Sequence, residues 1–290
     1  MSGAPELYVL GNASIDVTLN VPRLPRPGET LMAHNLFRAP GGKGLNQAVV
    51  AARAGARVRF CAPIGAEPET ALIREALARE PFIDLRLIEA NQPTDLSTLI
   101  VAHGGDNVII STGDCADALT PYIAGVFIRP IRPTDWLLVQ GNLSEPATWA
   151  AVSRATNVVF NTAPIRWHSP RILAAATVVI ANETEAHELT GLPDPEAAAA
   201  VIGGKAGIVT LGAAGCILAQ DGRITRFAAV EVAAVDTSGA GDTFCGVLAA
   251  GLAASGDFAA AIAHAQRAAA LAVSRPGCFG ALPSATELRP

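Results

Sequence analysis

The run VDTSGAGDTFCGVLAAGLAA, Val235 to Ala254, sets two glycines and a bare carboxylate, Asp242, at the mouth of an otherwise apolar helix. Phe244, Val247, Leu248, Gly251 and Leu252 keep the spacing of one buried helical face. Gly239, Ala240 and Gly241 then lie at its N-terminus, where free N–H groups and the helix dipole favour an anion. An aspartate in a first turn is otherwise a cap, worth about 1 kcal/mol. Two glycines exceed what a cap needs, because they bare the backbone to a ligand.

Outward from that helix, short aliphatic runs alternate with Ala-rich segments. Strands are expected at 7–10, 58–63, 136–140, 158–161, 178–181 and 208–211. Helices are expected at 45–54, 67–80, 145–155, 183–190, 196–202, 240–254 and 258–273. Continuously apolar strands imply burial on both faces. The expected fold is therefore a three-layer α/β/α domain with a mostly parallel central sheet. Two segments break the rhythm: a Pro-rich stretch at about 15–37, and STLIVAHGGDNVIIS at 97–111, read as two strands about Gly104-Gly105-Asp106. As antiparallel pieces they are expected to form a small β-sheet lid on a single domain spanning residues 1–290.

Composition narrows the function. Half of the 290 residues are hydrophobic, 16% are charged and the net charge is −5, so no basic face for nucleic acid and no polybasic membrane patch is expected. MSGAPELYVLG lacks a basic region followed by an apolar core, so no export signal is expected. Five scattered cysteines without a C-x-x-C pair fit reduced thiols in the cytoplasm. No histidines fall at i, i+4 and none neighbours a cysteine, which disfavours structural zinc. The chain has no G-x-x-x-x-G-K-[ST], no G-x-G-x-x-G after its first strand and no G-x-S-x-G. P-loop, nicotinamide-dependent and nucleophile-elbow chemistries are disfavoured accordingly.

A second glycine cluster, APGGKGLNQAVVAARAGARV, sets Gly41, Gly42 and Gly44 directly before a helix that closes at Gly55. It reads either as a polyol-binding loop, with Lys43 and Asn46 donating to hydroxyls, or as a tight turn with a solvated lysine. Asp16 is a candidate acceptor for vicinal hydroxyls. In VVIANETEAHELTG, Asn182 and Glu185 have the spacing of a capping box. Carboxylates at the end of a parallel strand can also hold a hydrated Mg²⁺.

Taken in order, GGKG-x-NQA (41–48), N-x-x-E (182–185) and DT-x-GAGD-x-F (236–244) resemble the signatures of the ribokinase-like (PfkB-type) sugar kinase family. RPGET (26–30), NTAP (161–164), VTLGAAG (209–215) and AVSRPG (272–277) extend the resemblance, which is strongest to the ribose-phosphorylating branch. The resemblance implies an α/β domain with a β-sheet lid and ATP-dependent phosphorylation of a sugar hydroxyl. It makes Asp242 the general base and Gly239, Ala240 and Gly241 the anion hole. It places the sugar against Asp16, Gly41, Gly42, Lys43 and Asn46, with Asn182, Thr210 and Gly212 beside the nucleotide. Glu185 would organise Mg²⁺ through water. Asp236, Ser238, Ala272, Arg275, Gly277 and Ala281 match a monovalent-cation site, implying K⁺.

Two positions depart from the ribose pattern: Ser14 stands for an asparagine and Asn142 for a glutamate, both facing the expected sugar. Deoxyribose, another pentose, a ketohexose or a nucleoside therefore stays open as substrate. A catalytically silent sugar sensor on the same fold is the competing reading. The lid segments would otherwise leave sheet edges and apolar faces bare, so a homodimer through paired lids is expected.

Overall fold

The computed structural model describes residues 3–103 and 107–289. In chain order the elements are β1 (Glu6–Leu10), β2 (Ser14–Val21), β3 (Asn35–Gly41), α1 (Lys43–Arg53), β4 (Arg57–Ile64), α2 (Thr70–Leu77), β5 (Asp84–Glu89), β6 (Asp95–Ala102) and β7 (Asn107–Ser111). Then follow α3 (Asp114–Asp117), α4 (Pro121–Ile128), β8 (Trp136–Gln140), α5 (Glu145–Val152), β9 (Asn157–Asn161), α6 (Pro170–Ala175), β10 (Val178–Asn182), α7 (Glu183–Thr190) and α8 (Pro195–Val201). The chain closes with β11 (Ala206–Thr210), β12 (Cys216–Gln220), β13 (Arg223–Phe227), α9 (Ala240–Ser255) and α10 (Phe258–Val273).

The main sheet runs β13-β12-β11-β10-β9-β8-β1-β4-β5. From β11 to β5 every neighbouring pair is parallel; the β11–β12 and β12–β13 pairs are antiparallel, so β12 alone is reversed. Strand alternation explains the two core layers. Leu7 and Val9 of β1 pack with α1, α2, α9 and α10 on one face. Tyr8 and Leu10 pack with α3–α8 on the other. Both faces are apolar because both are covered, as the continuous aliphatic runs imply.

A separate four-stranded sheet, β3-β2-β6-β7, forms the lid from the two segments that broke the sequence rhythm. The expectation that its pieces are antiparallel is corrected at its centre. β2 pairs with β6 in parallel, Ser14 opposite Asp95 through Val21 opposite Ala102, while the β2–β3 and β6–β7 pairs are antiparallel. The parallel pair arises because β2 and β6 both leave the main domain in the same direction. The turn at 104–106 lies outside the described residues.

Elements absent from the sequence reading are β5, β12, β13, α3, α4 and α6. The β12–β13 hairpin carries a legible signal in Asp221-Gly222, both with positive φ (51° and 73°), the pair a two-residue hairpin turn needs. α4, PYIAGVFI, hides its helix behind β-branched residues and a glycine.

Candidate active site

Parallel strands deliver side chains to one edge of the sheet, where ligands of open α/β folds bind. β1 runs there into Asn12, with Asp16 following on β2 of the lid, β8 into Gln140 and Asn142, β9 ends on Asn161, β10 on Asn182 and β11 on Thr210. α1 and α9 begin beside the same edge and pack on each other. Their contact is close because Gly246 faces α1, and a Cβ there would collide with the Gln47 carbonyl oxygen and Val50.

That contact removes the cap reading of Asp242. No side chain caps α9; its N-cap is Gly239, in the left-handed region at φ 76°. Asp242 instead reaches across to α1, accepting from Asn46 Nδ2 at 3.2 Å and Gln47 Nε2 at 3.0 Å, with Lys43 Nζ 3.8 Å away. The residue is 6% exposed. The nearby Asp242 carboxylate holds the Lys43 ammonium above its ordinary pKa. In the first turn the Ala240 N–H is taken by Thr237 O, which leaves the Gly241 and Asp242 amides without an intrahelical acceptor. A Cβ on Gly241 would meet only open space, so the backbone is bare toward the cleft.

Asp16 lies over Gly41, where any side chain would overlap the carboxylate. Burial pushes its carboxyl up to about 6, opposed by hydrogen bonds from Ser14 and Ser97 and reinforced by the Asp242 charge. Ser14 is itself buried, and its hydroxyl donates to Asp16 Oδ1 at 2.9 Å. The structure thus places Ser14 as support for Asp16. Gly42 closes against Ala13 and Ser14, with 2.9 Å between a Cβ there and the Ala13 Cα. Asn46 is 2% exposed, and its Oδ1 has no partner among the described residues. Asn142 Oδ1 is likewise buried and unpartnered, while its carbonyl accepts from Arg166. Buried unpaired amide oxygens are costly and mark places where a donor is missing, such as a hydroxyl.

Asn182 and Glu185 do form the capping box. The Glu185 carboxylate also accepts from the Asn182 side chain at 2.9 Å and the Thr162 hydroxyl at 2.9 Å. Most of its lone pairs are therefore in use, which suits contact with a metal-bound water better than direct ligation. Among the described residues no cluster of three or more His, Cys, Asp or Glu side chains could hold a metal. Thr210 sits opposite Asn182 in the sheet register, and Gly212 follows with open space above it.

The 236–281 residues come together as two clasped loops. Asp236 accepts from Ser238 N at 2.8 Å and Gly277 N at 2.9 Å. Arg275 turns away to pair with Glu287, and the Ala272 and Cys278 carbonyls accept from Arg275 N and Ala281 N. Site neighbours missed from sequence are Gln47, Asn161, Gln140, Thr162, Gly246 and Cys278, whose Sγ lies 3.2 Å from Asn46 Nδ2. Gln47, Asn161 and Thr162 lie inside motifs quoted above; Gly246 is signalled only by its place one turn after Asp242.

Among the described residues no helix is long and apolar enough to cross a membrane. The pattern of the pfkB family carbohydrate kinase matches residues 4–285. A ribokinase of Haemophilus influenzae is 32% identical over 294 residues, covering 97% of this chain and 96% of that protein. The crystal structure of a Thermotoga maritima ribokinase superimposes with a TM-score of 0.89 at 29% identity, over 98% of each chain. An Arabidopsis thaliana ribokinase solved with ribose and ATP gives a TM-score of 0.84 at 26% identity, over 99% of this chain and 98% of that one. With that match running nearly end to end, the chain belongs to the pfkB family of carbohydrate kinases.

Proposed function

We propose that this kinase moves the γ-phosphoryl group of ATP onto a primary hydroxyl of a pentose, D-ribose first. The observation that carries the reading is Asp242: a buried carboxylate beside bare helix-start amides, held by Asn46 and Gln47 of the loop-and-helix that begins at Gly41. The complex of the Arabidopsis ribokinase with ribose and ATP supports the choice of sugar and nucleotide.

In this reading Asp16 and the amide oxygens of Asn46 and Asn142 accept from sugar hydroxyls, while Lys43 and the backbone at Gly41 and Gly42 complete the pocket, with Ser14 holding Asp16. Asp242 takes the proton of the attacking hydroxyl. The sugar oxygen forms its bond to the γ-phosphorus as the bridging bond to the β-phosphate breaks and ADP leaves. The loop Gly239-Ala240-Gly241 would face the charge that develops on the γ-phosphoryl oxygens, with the Gly241 and Asp242 amides as its free donors, since the Ala240 N–H is held by Thr237 O. A late proton transfer suits a loose transition state, for which positioning matters more than base strength. Asn182, Thr210 and Gly212 line the nucleotide side. Glu185 would hold Mg²⁺ through water, and neutralisation of phosphate charge is the chemistry that ion supplies. The loops clasped by Asp236, with Ser238, Ala272, Arg275, Gly277 and Ala281, would bind K⁺ through backbone carbonyls.

The chain would fold as a single kinase domain over residues 1–290, with its lid built from about 15–37 and 97–111, and would dimerise through paired lids. The exposed Leu36, Phe37, Ile109 and Ile110 of the lid support the dimer, since bare apolar sheet surface favours pairing. All five cysteines are free, which supports a reducing, cytoplasmic setting. Ser14's commitment to Asp16 and the neutral Asn142 favour a second reading, a kinase of the same type acting on deoxyribose, a ketohexose or a nucleoside. A coupled ADP-release assay over ribose, deoxyribose, fructose and nucleosides decides. Ribose is expected to give the highest kcat/KM; no turnover with any of them would end the reading.

A further inference from the structure

Behind the groups that face the cleft lies a chain of buried amides. Gln47 and Gln140 are both fully buried, and Asn161 is 7% exposed. Gln47 Nε2 donates to Asp242 Oδ1 at 3.0 Å and to Asn161 Oδ1 at 3.1 Å, while Gln47 Oε1 accepts from Gln140 Nε2 at 2.9 Å. Asn161 is oriented in turn by its own Nδ2, which donates to Ile180 O at 3.3 Å. The Gln47 amide can therefore point only one way. Reversed, its oxygen would face a carboxylate and an amide oxygen, and its NH₂ would face the NH₂ of Gln140.

We infer that Gln47 is a positioning residue that aims the Asp242 carboxylate, and that Gln140 acts through it. The inference rests on Asp242 being the base. A carboxylate in a helix's first turn has two free side-chain torsions, whereas proton transfer needs it within hydrogen-bond reach of one hydroxyl. Anchoring Oδ1 to α1, and through Gln140 and Asn161 to two central strands, removes that freedom. Asn46 on Oδ2 supplies the second anchor. The network carries a defect that packing would not select: Gln140 Oε1 is buried without a partner among the described residues, pressed against Gly11, where a Cβ would overlap it. An orphaned carbonyl at the centre of the sheet is destabilising. It is tolerated where the rest of the amide is needed for orientation.

The test uses Gln47→Met, Gln140→Met and the double variant, each near the original volume but without polar atoms. Rates are normalised to sites counted by ATP titration. Gln47→Met is expected to lower kcat by about 10–100-fold, with both KM values within about 3-fold, as loss of an interaction made only in the transition state requires. Gln140→Met should lower kcat by about 3–10-fold, and the double variant should be no worse than Gln47→Met alone. A kcat within about 2-fold of wild type for Gln47→Met, or losses that multiply in the double variant, would overturn the inference. If Gln47→Met does not fold, Gln140→Met decides alone: unchanged kcat per site refutes the relay. A wild-type protein inactive on the whole sugar panel would instead count against the proposed function.

Discussion

Replacing Asp16 with asparagine should make the protein more stable and the enzyme worse. Burial raises the Asp16 carboxyl from 3.8 to about 6. A displacement of about 2 pH units, at 1.36 kcal/mol each, puts a ceiling of about 3 kcal/mol on the cost of keeping this charge folded at pH 7.5. An amide in its place also loses water, so a gain of about 1–2 kcal/mol is expected. At about 2.1 cal/mol/K per residue, a chain of this length has an unfolding entropy near 0.6 kcal/mol/K, and the Tm should rise by about 2–3 °C. The sign follows from the direction of the shift. A carboxyl whose folded pKa is raised helps stability fully below 3.8 and loses that help as the pH climbs through about 6. The advantage of Asp16→Asn should therefore be full above about pH 6.5 and shrink toward pH 4.5. Differential scanning calorimetry at both pH values reads it, and a variant with equal or lower Tm at pH 7.5 refutes the desolvation reasoning. Sugar KM should rise more than 10-fold in the variant, while wild-type kcat/KM for sugar should fall below about pH 6, because a protonated Asp16 no longer accepts two hydroxyl hydrogen bonds.

Gly246→Ala should force α1 and α9 apart, costing about 1–3 kcal/mol of stability, read as a lower Tm, and lowering kcat steeply. Gly251→Ala overpacks the α9–α10 contact instead, where a Cβ would lie 2.9 Å from the Ala261 Cβ; it should lower Tm with kcat kept, and equal kcat in both variants would refute the coupling. Asn182→Ala removes the capping box, so a loss of about 1 kcal/mol together with a raised ATP KM is expected; an unchanged KM would detach Asn182 from the nucleotide. Size-exclusion with light scattering should give twice the chain mass for wild type and a shift toward monomer for Ile110→Lys; a wild-type monomer at micromolar concentration would remove the paired-lid proposal.

Much of the fold is legible in the sequence, for identifiable reasons. Buried parallel strands are unbroken aliphatic runs, so β8 was read to the residue, and the helices α7 and α10 likewise. β5, DLRLIE, alternates charge with apolar side chains at the edge of the sheet, where only one side needs to be apolar, and it was missed. The parallel pairing of β2 with β6 depends on how two distant segments leave the main domain, which no local pattern encodes. At the site, the acid and the glycines announced themselves by chemistry. Ser14 was assigned to the sugar but is turned to Asp16, because hydrogen-bond direction is a tertiary property. Gln47 and Gln140 read as ordinary helix and strand residues until the packing of α1 on α9 brought them to one carboxylate.

The most direct trial of the account is the turnover of Asp242→Asn on its best sugar, measured beside ATP affinity and Tm. A side chain of the same size that accepts no proton should cut kcat by about 10³-fold or more, leaving nucleotide binding within a few-fold of wild type and the fold intact. A folded variant that keeps more than about a tenth of wild-type kcat would mean that the hydroxyl proton leaves by another route, and Asp242 would lose its role as the base.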